Sequence, residues 1–377
     1  MQLTARRLNR ATLARQLLLR REPVKVAEAV RRVVALQAQE AASPYLALWN
    51  RLAPFDPAAL DAAFAGHEVI KATLMRITLH TVTAADYPAF HRAMAESLRA
   101  ARLYDRRYTQ TGLSDADADA LIPHLLEFTA ERRTNPECEA LLSARLGAAQ
   151  PRAWWALRTF APVVHAVTGG PWSFGPRPSY LAAPAPAEEP DGRDACVQRL
   201  AWRYLEGFGP ASAADLAQFT LLARPAARDA LDAMAGRLER LEGPDGSVLY
   251  DVPGAPLPSE DTPCPPRLMA MWDSVLLAYA DRSRVIPPGY RALVTRRNGD
   301  VLPTLLVDGQ VAGVWRPAGD GIEATSFHPL SERAWQGLAD EAGALVSFLA
   351  ARDPAVYRRY AHWWKELPGA EVRVLPG

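Results

Sequence analysis

The sequence is poor in cysteine and lysine, and it lacks long apolar runs. Its three cysteines, Cys138, Cys196 and Cys264, lie far apart with no CxxC pair, so we expect neither a disulfide framework nor a thiolate zinc site. No stretch approaches the roughly 18 uninterrupted apolar residues of a membrane span, and the first residues, MQLTARRLNR, lack the apolar core of a secretory signal. These absences predict a cytoplasmic protein with no membrane partner.

The short motifs of the common cofactor and metal enzymes are also missing. There is no GxGxxG after a strand, no Walker-type loop, no HExxH and no GxSxG. The seven histidines show no metal-ligand spacing. We therefore expect no cofactor and no metal.

Charge is unevenly distributed along the chain. Residues 1–110 hold 17 Lys or Arg against 9 Asp or Glu, a net charge of +8, although the 377-residue chain carries only +1. Because screening at physiological salt limits the reach of a charge to about 8 Å, such a basic module can hold nucleic acid while the whole chain stays near neutral. An Arg-rich solvated surface with no nucleic-acid role is the alternative, since only three residues are lysines.

Apolar periodicity predicts an α+β protein, mainly α, with four modules. Three stretches each place helical patterns before a β-rich segment, which is the order of a winged helix-turn-helix unit. We interpret residues 1–110, 111–182 and 193–255 as tandem winged-helix modules that together form a concave surface. Residues 267–377 are predicted as a β-rich C-terminal module closed by a helix, and the Pro-rich stretch 177–192 as a linker.

Two glutamines, Gln37 and Gln39, flank one small residue in ALQAQEAASPY. The helical pattern of residues 24–39 predicts that they end a helix, with Pro44 as the stop signal. An amide donates and accepts at once, so two converging amides can hold a water molecule and contact a sugar or base edge. A solvated or helix-capping pair is the alternative interpretation.

The segment RITLHTV follows a short helix that we predict over residues 68–75. As a strand of period two it places Arg76, Thr78 and His80 on one face, which would be cationic and hydrogen-bonding. The other interpretation is a wing strand with a polar outer face. Glu40, next to the glutamines, is interpreted as a solvated residue at a helix end.

Six segments in one order resemble the AlkZ-like winged-helix family of bacterial DNA glycosylases. They are LNRATL, VVALQAQEAASPYLALWNRL, RITLHTVTAADYPAF, YLEGFGPASAADLAQF, MWDSVLLAYADRSRVI and LVDGQVAGVWR. The resemblance extends from about Leu8 to Leu330. Gln37-Ala38-Gln39 is similar to the two-glutamine form of the family's catalytic element, found in the branch linked to self-resistance in antibiotic producers.

The resemblance implies monofunctional excision of N7-alkylated purines, including bulky adducts and interstrand crosslinks, from double-stranded DNA, with Gln37 and Gln39 as catalytic residues. Asp273 in MWDS is either active-site support or the cap of a helix that starts at Ser274. We expect a monomer, since no dimerisation coiled coil is evident. Phosphate contacts are expected from basic helices, from the RITLHTV strand and from the turn TRRNGD: Arg6, Arg7, Arg31, Arg32, Arg76, Thr78, His80, Arg296 and Arg297.

A non-enzymatic alternative fits the same module order. A tandem winged-helix regulator or drug-sequestering protein would bind DNA or drug without releasing a base. Lesion-dependent base release distinguishes the two hypotheses.

Overall fold

The computed structural model describes residues 2–185 and 191–376. The α-helices are α1 (Ala5–Arg15), α2 (Val26–Val33), α3 (Ser43–Trp49), α4 (Pro57–Ala65), α5 (Tyr87–Leu103), α6 (Arg106–Thr109), α7 (Asp115–Phe128), α8 (Asn135–Leu146), α9 (Pro151–Phe160), α10 (Arg193–Phe208), α11 (Ala213–Thr220), α12 (Arg224–Ala233), α13 (Arg291–Val294) and α14 (Glu332–Ala350). Among the described helices, none is long and apolar enough to cross a lipid bilayer.

Short strands follow each group of helices. They are β1 (Leu36–Gln37), β2 (Val69–Thr73), β3 (Leu79–Thr83), β4 (Arg133–Thr134), β5 (Val163–Ala166), β6 (Ser179–Ala182), β7 (Glu239–Glu242), β8 (Val248–Asp251), β9 (Arg267–Leu268), β10 (Thr304–Val307), β11 (Gln310–Ala318), β12 (Gly321–Ser326) and β13 (Glu371–Leu375). Five 3₁₀ segments complete the described structure: Met75–Ile77, Ser274–Leu276, Arg282–Arg284, Pro288–Tyr290 and Arg358–Glu366.

The strands form four antiparallel sheets. Three small ones have the orders β1-β3-β2, β4-β6-β5 and β7-β8, and each accompanies the helices of one predicted winged-helix module. The fourth has five strands in the order β13-β12-β11-β10-β9, with α14 packed on it. This mixed α and β fold confirms the predicted fold class, whereas the count of three winged-helix modules and their concave arrangement stay predictions.

Two large hydrophobic cores cross the predicted module boundaries. One joins Leu46 of α3 to Trp315 of β11 and Trp335 of α14, so the first and last modules share it. The other joins Phe90 of α5 to residues of the second and third modules. The first module is therefore packed on both sides, and its small sheet lies between the two cores.

Three local predictions were wrong in ways that matter for the site. Residues 68–75 form strand β2 and not a helix, because Val69–Thr73 pair along their whole length with β3. Helix α2 ends at Val33, before the glutamines. The next residue, Val34, adopts φ +71° and ends the helix. Pro44 does not stop that helix; it lies in the first turn of α3, a position that tolerates proline because the first amides of a helix are unpaired.

The predicted linker also differs from the structure. Ser179–Ala182 form β6, which pairs with both β4 and β5. Residues 186–190 of that stretch lie outside the described residues.

Candidate active site

The two glutamines lie at the edge of the first sheet, Gln37 at the end of β1 and Gln39 in the bend that follows it. Gln37 is opposite His80 of β3, and the Ala38 N–H donates to the Leu79 carbonyl at 2.8 Å. Oε1 of Gln37 accepts from Thr78 and Oε1 of Gln39 from the Leu79 N–H, so both amides lie beside the start of β3. Pairing of β1 with β3 brings them together, which corrects the expectation that an unwound helix end would do so.

The amide of Gln37 is buried and its orientation is determined by its neighbours. Gln37 is only 3% exposed. Oε1 accepts hydrogen bonds from Thr78 Oγ1 at 3.1 Å and from Arg76 Nη2 at 3.4 Å. A guanidinium nitrogen can only donate, so an inverted amide would set two donors against each other. Oε1 therefore faces two donors within the protein, Arg76 Nη2 and the Thr78 hydroxyl, whose single hydrogen also faces the Met75 carbonyl at 3.1 Å.

Gln39 is exposed and keeps one acceptor. Its Oε1 accepts from the Leu79 N–H at 3.4 Å, and a backbone N–H also can only donate, which leaves one lone pair of this oxygen available. Within residues 2–185 and 191–376, Nε2 of neither Gln37 nor Gln39 has a hydrogen-bond partner. The pair therefore offers N–H donors from both amides and a single acceptor, on Gln39.

Arg76 and His80 support the Gln37 amide from behind. Arg76 has φ +54°, so it has left the strand that was predicted for it, yet its Nη2 lies 3.2 Å from His80 Nε2. Because Arg76 can only donate, His80 Nε2 accepts and His80 Nδ1–H donates to the Thr78 carbonyl at 3.0 Å. Burial and the Arg76 charge lower the pKa of His80 to about 3, so His80 is neutral. Burial and the charge of Arg282 lower the pKa of Arg76 to about 9.

The carboxylate next to the glutamines is occupied. Glu40 is not the solvated residue that was expected: its Oε2 accepts from Arg359 Nη2 at 2.6 Å and from the Tyr360 hydroxyl at 2.9 Å. Both partners come from the last 3₁₀ segment. Glu40 Oε2 is therefore bound by two side chains of that segment, which tie the carboxylate to the C-terminal module.

Asp273 takes the second of the two roles considered for it, the cap of the segment that starts at Ser274, and its carboxylate is also ion-paired. It forms a bidentate ion pair with Arg51, with both N–O distances at 2.8 Å and both side chains fully buried. Its Oδ1 also accepts from the Val275 N–H at 3.2 Å, which caps the 3₁₀ segment Ser274–Leu276. Among the described residues, it contacts neither glutamine.

The residue after Asp273 makes the contact that sequence reasoning missed. Ser274 Oγ donates to the Ala35 carbonyl at 2.8 Å, directly before β1. The Tyr357 hydroxyl lies 2.9 Å from Ser43 Oγ and accepts from the Met271 N–H at 3.3 Å, behind the start of α3. Sequence spacing carries no signal for either contact, because the partners are more than 80 residues apart.

The predicted DNA contacts on the N-terminal helices are already paired within the protein or half-buried. Arg31 and Arg32 both bond Glu28, at 2.6 and 2.8 Å. Arg6 pairs with Asp308 at 2.7 Å, and Arg7 is half-buried on α1. Arg6, Arg31 and Arg32 therefore pair with Asp308 and Glu28 and not with the two glutamines.

The predicted hairpin of the C-terminal module is a short turn closed by one bridge, from Thr295 to Val301. Arg296 stacks over the Trp363 ring at 4.6 Å and pairs with Glu366 at 3.1 Å, whereas Arg297 is exposed. Arg282, whose charge acts on Arg76, donates to Thr295 Oγ1 at 3.2 Å. The base of this turn therefore hydrogen-bonds the arginine whose charge acts on Arg76.

Comparison with known proteins gives one family model and a similar fold. The family model described as DNA glycosylase AlkZ-like matches residues 30–348. Among solved structures, the Streptomyces sahachiroi DNA glycosylase AlkZ is similar over 94% of this chain and 99% of its own, with a TM-score of 0.80 and 19% sequence identity, which shows a shared fold. A comparison with curated proteins finds no match.

Proposed function

Because this chain belongs to the AlkZ-like DNA glycosylase family, we propose that it is a monofunctional enzyme for N7-alkylated purines in double-stranded DNA. Its substrates would include bulky adducts and interstrand crosslinks, and Gln37 and Gln39 would be its catalytic residues. DNA glycosylase activity, DNA binding and a role in DNA repair follow from the family. The lesion class and the catalytic glutamines are what the family resemblance implies, and the geometry of the amide pair supports them.

One observation carries the proposal: within the described residues, the carboxylate and the imidazole that adjoin the amide pair, those of Glu40 and His80, are both engaged by other groups. Glu40 is held by Arg359 and Tyr360. His80 is neutral and its two nitrogens are both engaged. Such an enzyme needs a nucleobase that departs without being protonated by a side chain.

N7-alkylated purines meet this requirement. Alkylation at N7 gives the purine a positive charge, so cleavage of the C1′–N9 bond releases a neutral base and leaves the positive charge on an oxocarbenium-like sugar. Water then adds to C1′ and loses a proton to solvent. The protein needs only to position this water and the sugar, and positioning alone can lower a barrier by several kcal/mol.

The hydrogen bonds inside the site favour different roles for the two amides, one towards the water and one towards the sugar. Gln39 Oε1 retains one lone pair and would accept a hydrogen from the attacking water. Gln37 Oε1 faces Arg76 and Thr78, so Gln37 would act through Nε2, donating to an oxygen of the sugar or the adjacent phosphate. Gln39 is exposed, which supports access for bulky or crosslinked lesions that a closed pocket would exclude. Such lesions arise from DNA-alkylating natural products, so self-resistance is a fitting role.

We assign different roles to the sequence-predicted DNA contacts. Arg297 is exposed and lies in the turn next to Arg282, so it is well placed for a phosphate. Arg76, Thr78 and His80 would serve by holding Gln37. Arg6, Arg7, Arg31, Arg32 and Arg296 stay candidates, of which Arg6, Arg31, Arg32 and Arg296 would have to exchange an ion pair for a phosphate. We also propose that the enzyme acts as a monomer.

The test is base release from a duplex containing N7-methylguanine and, separately, from a crosslinked duplex, followed by alkaline cleavage of abasic sites. Strand breaks above the spontaneous rate are expected, and their absence on both substrates would reject the proposal. Gln37→Ala and Gln39→Ala should each lower the rate by about 10²-fold, the typical cost of removing one positioned polar group. Gln110→Ala, at an exposed glutamine on the end of α6, is the matched control and should leave the rate unchanged.

A further inference from the structure

The last 3₁₀ segment, Arg358–Glu366, carries an unusual concentration of basic and aromatic residues. Its sequence, RRYAHWWKE, contains three cations and one carboxylate. Arg358, Arg359, His362 and Lys365 are exposed. The segment follows the last residue of the family match at 348, so the family assignment does not cover it.

This segment is attached to the glutamine site. The Tyr360 hydroxyl and Arg359 Nη2 both donate to Glu40 Oε2, at 2.9 and 2.6 Å, and Glu40 directly follows Gln39. The Arg359 guanidinium also donates to the Tyr360 hydroxyl. Two side chains of the segment therefore converge on one carboxylate beside the amide pair.

The segment is attached to the 295–301 turn as well. Trp363 Nε1 donates to Asp300 Oδ2 at 2.8 Å, and Arg296 bonds Glu366 while stacking on the Trp363 ring. Trp272 packs edge-on against Tyr360, with ring centroids 5.5 Å apart, and donates to the Gly299 carbonyl at 2.9 Å. The glutamine segment, the turn and Arg358–Glu366 thus form one connected surface.

Two cations on this surface have no internal counterion. Arg359 is paired with Glu40 and Glu366 with Arg296, but within residues 2–185 and 191–376 neither Arg358 nor Lys365 has an ion-pair partner. Arg358 also lines a cavity of about 400 Å³ in which Arg316 is the only other charged lining residue. An exposed cation on a fixed segment can bind an anion without breaking an ion pair and with little ordering cost.

We propose that Arg358–Glu366 is a DNA-backbone contact element beside the active site, in which Arg358 and Lys365 each bind a phosphate flanking the lesion. This inference rests on the proposed function because its ligand is a DNA duplex. It does not depend on which lesion is excised. Phosphate contacts position a protein on DNA without reading sequence. The element would hold the duplex against the side of the protein on which Gln39 is exposed.

The test is the salt dependence of binding to an undamaged duplex, measured by fluorescence anisotropy from about 0.05 to 0.2 M salt. Each lost phosphate contact reduces the slope of log K against log salt by about 0.9, so Arg358→Ala with Lys365→Ala should flatten it by about 1.8. If wild type and variant bind equally at 1 M salt, this slope difference corresponds to about 30-fold weaker binding of the variant at 0.15 M.

The matched control is Arg333→Ala with Lys25→Ala, which changes the same residue types and the same net charge at exposed positions on α14 and at the start of α2. An unchanged slope in the Arg358/Lys365 variant, an equal decrease in the control, or no salt-dependent binding by the wild type would each overturn the proposal. Because the duplex is undamaged, failure to excise N7-methylguanine leaves this outcome unaffected. The two proposals can therefore fail separately.

Discussion

Replacing Asp273 with alanine should destabilise the protein by about 3–5 kcal/mol, because it leaves the Arg51 guanidinium buried without its counterion. Both side chains are fully buried, and the pair is bidentate with both distances at 2.8 Å. The remaining acceptors of Arg51 are the Ala47 carbonyl at 2.9 Å and Gln16 Oε1 at 3.5 Å, neither of which carries charge. The variant therefore gains no compensating charge from its neighbours.

The size of this effect can be expressed as a melting temperature. An unfolding entropy of about 2.1 cal/mol/K per residue gives about 0.8 kcal/mol/K for the 377-residue chain, so the Tm should fall by roughly 4–6 °C. Differential scanning calorimetry measures it. Asp119→Ala is the control: Asp119 pairs with Arg99 at 2.6 Å, but its side chain is 58% exposed, and such surface pairs contribute about 0–1 kcal/mol.

A double variant separates the loss of the ion pair from the cost of leaving one charge buried and unpaired. Arg51→Met combined with Asp273→Leu removes both charges, and it should recover much of the stability lost in Asp273→Ala, because no unpaired charge stays buried. If Asp273→Ala lowers the Tm no more than Asp119→Ala, the buried ion pair does not have the energetic role that its geometry indicates.

Three further predictions concern the residues behind Gln37. Thr78→Val should lower the excision rate of N7-methylguanine about tenfold in a single-turnover assay, because the Gln37 amide loses its shorter restraint; an unchanged rate would refute this restraint. The rate should be flat from about pH 5 to 8, since His80 stays neutral there and Arg76 stays charged, so a bell-shaped profile within that range would contradict the assignment. The folded-state pKa of His80, about 3, lies below its unfolded value, so the unfolded chain binds the proton first. His80 should therefore contribute a loss of stability of about 1.4 kcal/mol per pH unit as the pH falls from about 6.5 towards 3. Buried His91 and His165, whose pKa values burial also lowers, add to this loss, and His80→Gln should make the decrease in urea titrations shallower by the His80 share.

The sequence carried clear signals for the helices but not for the end of α2. Residues 24–39 keep a helical apolar period, and neither glycine nor asparagine marks a C-terminal cap. The chain leaves the helix at Val34, whose φ of +71° is rare for a β-branched residue. Pairing of β1 with β3 decides the conformation there, and this tertiary contact cannot be read from local periodicity.

The candidate site was predicted in part. Gln37, Thr78, His80 and Arg76 were singled out from the sequence, and the structure brings them together by hydrogen bonds. Arg76 was expected on a strand but reaches His80 from a left-handed turn. The interactions that occupy Glu40 and Asp273 join residues more than 200 positions apart, and such long-range partners leave no trace in sequence spacing.

The most direct test of the central claim compares a charged and a neutral lesion in the same duplex. Among the described residues, the carboxylate and the imidazole that adjoin the amide pair are engaged by other groups, so N7-methylguanine should be excised well above the spontaneous rate, while a neutral adduct such as 1,N6-ethenoadenine should not be released above background. Gln39→Ala should abolish most of the N7-methylguanine reaction. Comparable excision of the neutral adduct would contradict the account, because its departure would require a proton donor that neither Glu40 nor His80 is free to be.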